Sequence, residues 1–232
     1  MPGRLESSVR VVGRALLRTR DALRTAVRDR RHAARDRRRL AALAARNDLR
    51  INMGSSSSRL EGWVNVDLLG DPEGVAIRFD GAQPWPLPDG CAEAVNSEHF
   101  LEHLAPEDVP RYFAQAFRVL RPGGVIRTST PDLEGLMAVY AERDELALAT
   151  HREHGYTARD HADLVNNYVY SWGHRHIWDF DSIARVLREA GFEQIERAAY
   201  GVSRHPLLNG IDDHAMGHLA RIVVAVDAVK PR

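Results

Sequence analysis

The sequence predicts an α/β fold built on a parallel sheet, and three observations lead there. From residue 49 onward, short apolar runs alternate with turns and helical segments, the order in which parallel strands are joined. Those runs stop at small or acidic residues: Gly54, Asp67, Asp80, Ser97-Glu98-His99 and Thr130-Pro131-Asp132. Parallel sheets bind ligands at the carboxyl ends of their strands, so an acidic rim there suits a ligand with hydroxyls, an amine or a positive charge. The chain has 232 residues, 44% hydrophobic and 28% charged, enough for one such domain and an appendage.

The appendage is residues 1–48. Arginine recurs through it, from Arg10 and Arg14 to Arg38 and Arg39, against few acids. The formal net charge of the whole chain is zero, so the remainder is net acidic. High alanine content and no proline after Pro2 favour helix. Val9, Val12, Leu16, Leu23 and Val27 make one apolar stripe. A basic amphipathic helix of this kind suits an anionic membrane surface, an acidic partner or nucleic acid; the competing and favoured reading is a solvated helix that packs its stripe on its own domain or on a second copy. The single cysteine, Cys91, excludes an internal disulfide framework. No apolar run approaches the ~20 residues of a membrane span, and the start lacks the apolar core of a secretion signal. The expected location is cytoplasmic, with peripheral membrane attachment open to the helix.

Ile51–Met53 reads as a buried strand ending at Gly54, and Val64–Val66 as a second ending at Asp67. Between them lies Gly54-Ser55-Ser56-Ser57-Ser58, small residues that let a ligand approach the backbone. Free N–H groups in such a loop can bind a carboxylate or phosphate. An acid after the next strand can accept from two ribose hydroxyls. Residues 75–79 read as a third strand ending at Asp80, followed by a proline-rich bend and Asp89-Gly90. Residues 92–97 form a fourth strand that ends in the polar group Glu98 to Leu104. Pro106 opens a helix with Tyr112, Phe113, Ala116, Phe117 and Leu120 inward. Pro122-Gly123-Gly124 ends that helix and starts a fifth strand over 125–130. Residues 133–178 are read as helical and then irregular. Asp179 or Asp181 caps a helix that Gly191 ends. Residues 193–199 and 219–229 supply the last two strands, around a polar loop at 201–217.

INMGSSSSRLEGWVNVD, FDGAQPWPLPDG, AEAVNSEHFLEHL and FRVLRPGGVIRTSTPDLEGL resemble the successive motifs of class I S-adenosylmethionine-dependent methyltransferases. They look most like a compact branch often found near glycan and natural-product genes. The resemblance covers roughly residues 50 to 136 and implies a Rossmann-like, mostly parallel seven-stranded sheet with a closing antiparallel hairpin. It also implies a division into residues 1–48 and a methyltransferase-like domain at 49–232, with 133–178 and 201–217 as substrate-cap insertions. The implied cofactor is S-adenosyl-L-methionine. Gly54 and Ser55 match the backbone that meets its amino-acid end, and Asp67 the acid on its ribose. Asp80 with Gly81 matches the acid near its adenine. Ser97, Glu98 and His99 fall near the transferred methyl. The family usually has further glycines in its first loop, where this chain has Ser56 and Ser58. The links between the first three strands also leave no room for full crossover helices.

Methyl transfer to a hydroxyl or protonated amine needs a base, and His103 and His99 are the candidates. Tyr170, Trp172, His174 and His176 are candidates for an acceptor pocket, beside Tyr168 and Trp178. His151 with His154 and His174 with His176 are close pairs, but their spacing matches no strong zinc pattern, so no metal is expected. The expected acceptor is a small molecule, sugar or glycan. A nicotinamide dehydrogenase is disfavoured because GxGxxG is absent after Met53. No Asn-Pro-Pro-Tyr-like stretch follows the fourth strand, which argues against nucleic acid. The alternative is a catalytically inactive protein of this fold that serves as a binding partner through its basic helix.

Overall fold

The computed structural model describes residues 34–68, 76–212 and 217–232. The chain divides into two units, Met1–Ala42 and Leu43–Arg232. Of the first unit, residues 34–42 are described; they belong to a helical stretch, α1, over 34–43. The apolar stripe from Val9 to Val27 lies outside the described residues. No described helix is long and apolar enough to cross a membrane.

Leu43–Arg232 contains one mixed sheet of β1 (Leu49–Met53), β2 (Val64–Val66), β3 (Ala92–Glu98), β4 (Leu120–Pro131), β5 (Glu193–Ala198) and β6 (Val223–Val229). The strand order is β2-β1-β3-β4-β6-β5. The first four run parallel, and β6 enters antiparallel between β4 and β5. Six strands thus stand among the described residues, against seven expected. The expected third strand contributes one bridge, Ile77 to Val66, and Val75 lies outside the described residues.

Two boundaries also differ from the sequence reading. Pro122-Gly123-Gly124 lies inside β4, and the preceding helix, α2 (Val109–Val119), has already ended. The Gly123 N–H donates to the Lys230 carbonyl and the Lys230 N–H to the Gly124 carbonyl, so the bend is held in the ladder. A Cβ on Gly124 would meet the Arg121 carbonyl at 2.9 Å. The glycine pair therefore makes a bulge instead of a turn. Residues 217–222 form a 3-10 helix, so the last strand starts at Val223.

One face of the sheet carries α2 and α6 (Phe180–Glu189). Asp179 caps α6 through a reciprocal capping box with Ser182. Val109, Tyr112, Phe113, Ala116 and Val119 of α2 are buried, as are Ile183, Ala184, Val186 and Leu187 of α6. The Phe117 and Phe192 rings meet edge-on at 5.2 Å.

Among the described residues no crossover helix joins the first three strands, and a row of polar side chains runs across the other face. Strand register pairs Asn65 with Asn52, Asn52 with Asn96, Asn96 with Arg127, and Arg127 with Asp227. Residues opposite one another share a face, so all five line up there, and all five are buried. The Asn96 amide donates to Asn52, and the Asn52 amide to Asn65 and to the Ser58 carbonyl. Arg127 donates to Asp227 at 2.8 Å and to Asp212 at 2.6 Å. It also reaches the carbonyls of Ala199 and Val202. Burial opposes the Arg127 charge, but the two aspartates more than offset it and hold the guanidinium ionised. The 199–212 segment is thereby fastened over the sheet. Its Leu208 packs on Ala94 and Val125, with Trp63, Leu207 and Ile211 around it.

Helices α3 (Leu133–Glu142), α4 (Glu145–Glu153) and α5 (His161–Tyr170) form a cap with its own core. Leu136, Val139, Leu148, Leu164 and Tyr168 pack there with Leu219 and Ile222 of the 3-10 helix.

Candidate functional site

Strand register places the rim residues side by side. Met53 pairs with Val66 on one flank and with Ser97 on the other. Gly54 and Asp67 therefore leave the sheet at its carboxyl edge beside Glu98, the last residue of β3, which still pairs with Ser129. The Asp67 N–H donates to the Ile77 carbonyl, which carries the chain toward Asp80 alongside β2.

The Ser-rich loop is shaped by its own backbone. Gly54 has φ +67°, and Ser56, at one of the positions where glycine is usual, has φ +41°. That left-handed conformation is costly for a residue with a Cβ. The Ser56 N–H donates to the Asp67 carboxylate at 3.1 Å, which ties the loop to the end of β2. Ser55 is 2% exposed, and its hydroxyl has no hydrogen-bond partner among the described residues.

Gly54 and Gly81 meet the same ring. A Cβ on Gly54 would lie 2.4 Å from Phe100 Cδ2, and one on Gly81 would lie 2.7 Å from Phe100 Cζ. Phe100 thus roofs both glycines, a reason for glycine that single-chain reading missed. The Phe100 ring rests on Tyr112, and Tyr112 on Trp85. The Trp85 indole donates to the Gly81 carbonyl, and Asp80 caps the turn by accepting from the Ala82 N–H.

Beyond β3, His99 has φ +47°, the kind of backbone conformation that clusters at working sites. Its N–H donates to the Ser129 carbonyl. Its ring Nδ1 meets Glu102 Oε1 at 3.0 Å, and Thr130 Oγ1 donates to Glu102 Oε2 at 2.9 Å. Glu102 is fully buried. Burial pushes its carboxyl up, but the hydrogen bond and electrostatic interaction with His99 outweigh it and leave the group below the ordinary carboxylate range. Ser97 Oγ donates to Thr128 Oγ1. Glu98 accepts from the Tyr200 hydroxyl, which follows β5.

The acceptor candidates divide. Trp172 and His174 stand together at 5.4 Å between ring centroids, and His174 meets His103 at 5.0 Å. Trp172 also packs on Tyr156 and Tyr168. Tyr170 is 80% exposed, and His176 stacks on Trp178 instead. His174 Nδ1 meets the Tyr168 carbonyl at 2.6 Å, while its Nε2 faces Glu102 Oε1 at 4.0 Å. Ligand-type atoms of Glu102, His103 and His174 all lie within 4.8 Å of one another. Phe100 and Tyr200 were not among the residues singled out from sequence, whereas Thr130 stood at an expected strand end and Glu102 in the polar group after the fourth strand. Glu102 had a signal in its place between two histidines, Tyr200 none.

A family model described as a methyltransferase domain matches residues 18–197. A curated relative from Mycolicibacterium smegmatis, named "Probable S-adenosylmethionine-dependent methyltransferase", is 41% identical over 58 residues. That match covers 25% of this chain and 22% of the relative, so the chain matches under a quarter of that protein's length. A solved structure described as a SAM-dependent methyltransferase from Archaeoglobus fulgidus superposes with a TM-score of 0.51. It is 15% identical, over 85% of this chain and 92% of that one, a likeness of fold.

Proposed function

Because the chain belongs to the methyltransferase-domain family, we propose that it transfers a methyl group from S-adenosylmethionine to a hydroxyl of a small molecule, sugar or glycan. The carrying observation is the register that sets Gly54, Asp67 and Glu98 side by side, with Gly81 against Met53 and Phe100. The residues fit a nucleoside with an amino-acid tail. Asp67 would offer its carboxylate to the ribose hydroxyls, and Asp80 with Gly81 would meet the adenine. The buried Ser55 hydroxyl supplies an unused polar group on the loop that would meet the tail. Ser97 and Glu98 would stand at the methyl end of the rim.

The bound cofactor supplies an electrophilic methyl carbon on a sulfonium. The chain's own contribution is alignment, because proximity supplies much of the rate of a displacement, and removal of the acceptor proton. His99 is built for the second task. Its Nδ1 meets the Glu102 carboxylate, so its Nε2, buried in this structure, would take the proton of a hydroxyl seated against it. The buried Glu102 carboxylate then stabilises the imidazolium. His103, one turn on, is the other base in reach of the same acceptor, and Trp172 and His174 would line its pocket. Tyr170 and His176 would belong to the outer part of that pocket.

The test is transfer of isotopically labelled methyl to a panel of hydroxylated acceptors, in wild type and His99→Ala. Turnover in the variant should fall on the order of a hundredfold or more, with cofactor affinity nearly intact. Equal turnover would remove the base from His99. Bound cofactor without labelling of any saccharide or small hydroxylated acceptor would overturn the acceptor class.

A further inference from the structure

We propose that Glu102, His103 and His174 bind one divalent cation of the zinc class. The close histidine pairs, His151 with His154 and His174 with His176, carry no zinc spacing. The fold instead joins His174 to the Glu102–His103 turn, which lies in a distant part of the chain.

Each ligand is prepared differently. The His174 ring donates from Nδ1 to the Tyr168 carbonyl, which fixes the tautomer and leaves the Nε2 lone pair facing the carboxylate. Its side chain is 6% exposed, so the lone pair is sheltered from water. Glu102 is oriented from behind by Thr130 on one oxygen and His99 on the other. A carboxylate has about four acceptor sites, so Oε1 keeps room for a further partner on the His174 side. His103 is exposed, perpendicular to His174, and supplies the ligand on the open side.

The separations suit a cation better than a direct contact. His174 Nε2 and Glu102 Oε1 are 4.0 Å apart, beyond the roughly 2.7–3.2 Å of a hydrogen bond. Two such acceptors attract one another only through something positive between them. Tetrahedral zinc holds nitrogen and oxygen ligands at about 2.0–2.2 Å, which puts neighbouring ligand atoms about 3.4 Å apart. The three ligand atoms lie within 4.8 Å of one another, so binding would need the exposed His103 ring to turn inward and the His174–Glu102 pair to close by a few tenths of an ångström from 4.0 Å. Two histidines and one glutamate leave a fourth position open, the pattern of a zinc site that receives an exogenous oxygen. The cation claim stands apart from the methyl-transfer reading. If both hold, His103 is a ligand, and His99 is the base.

The experiment uses the full, tag-free chain, stripped with chelator and then dialysed against buffered zinc, with metal counted by mass spectrometry. Cobalt(II) in place of zinc gives a visible spectrum that reports coordination geometry. Wild type should hold one zinc per chain and give an intense four-coordinate cobalt spectrum. His174→Ala and His103→Ala should each weaken binding by about tenfold or more. His176→Ala, a neighbour outside the cluster, should bind as wild type does. His103 is exposed, so its variant keeps the test sound even where Glu102→Gln fails to fold. No retained zinc in wild type would overturn the proposal in favour of an ion pair alone. Equal zinc affinity in wild type and His103→Ala would overturn it too.

Discussion

Gly54→Ala should destabilise the protein, and Phe100→Ala should rescue part of the loss. Two costs fall on the new methyl. At φ +67°, an L-residue pays about 1–2 kcal/mol for the left-handed conformation. The methyl also lands 2.4 Å from Phe100 Cδ2, where 3.4–4 Å is ordinary contact. Overpacking of that kind costs about 1–3 kcal/mol, so the single variant should lose about 2–5 kcal/mol in all. Phe100→Ala loses packing of its own, at most about 3–5 kcal/mol for a fully buried ring and less for this half-buried one. The double variant removes the overlap but keeps the backbone cost. Its loss should therefore fall short of the sum of the singles by about 1–3 kcal/mol. Urea unfolding of the four proteins measures this. Losses that add to within about 0.5 kcal/mol would refute the claim that Phe100 is why residue 54 is glycine.

Asp212→Ala should cost about 3–5 kcal/mol in chemical unfolding, because it strands one side of a buried guanidinium, and loss under about 1 kcal/mol would deny the clasp its role. The Asp144 carboxyl gives an acid dependence. Its burial raises it, but His218, the Ala147 N–H and Arg221 together hold it at about 2, below its ordinary 3.8. Its contribution is therefore full above pH 3.8 and is lost as pH falls toward 2. Hydrogen exchange at the start of α4 should quicken over that window in wild type, and Asp144→Asn should show no such step.

The parallel heart of the sheet was legible because its strands are short apolar runs with unambiguous stops. Gly54, Asp67 and the end of β3 fell where spacing put them. The start of α6 was readable to within two residues, Asp179 or Asp181, and the cap is Asp179. What could not be read depends on register between distant segments. Asn52 sits inside an apolar triplet and looks like a flaw until Asn65 and Asn96 are set beside it. Arg127 in a buried strand is explained by Asp212 and Asp227, both brought from far along the chain. Pro122-Gly123-Gly124 carries turn chemistry, yet pairing with Lys230 draws it into a strand. The expected third strand shrinks to one bridge at Ile77. The histidines were visible, but His174 packs against His103 and Trp172 while its neighbour His176 meets Trp178.

Calorimetric titration with S-adenosylmethionine and S-adenosylhomocysteine tests the central claim most directly. Asp67 leaves β2 beside Gly54 and holds the Ser56 N–H. A carboxylate accepting ribose hydroxyls gains about 1.5–3 kcal/mol from such bonds. Wild type should therefore bind both ligands, and Asp67→Ala should bind them on the order of ten- to a hundredfold more weakly while remaining folded. A wild type that binds neither ligand, or an Asp67→Ala variant that binds both as tightly as wild type, would contradict the account.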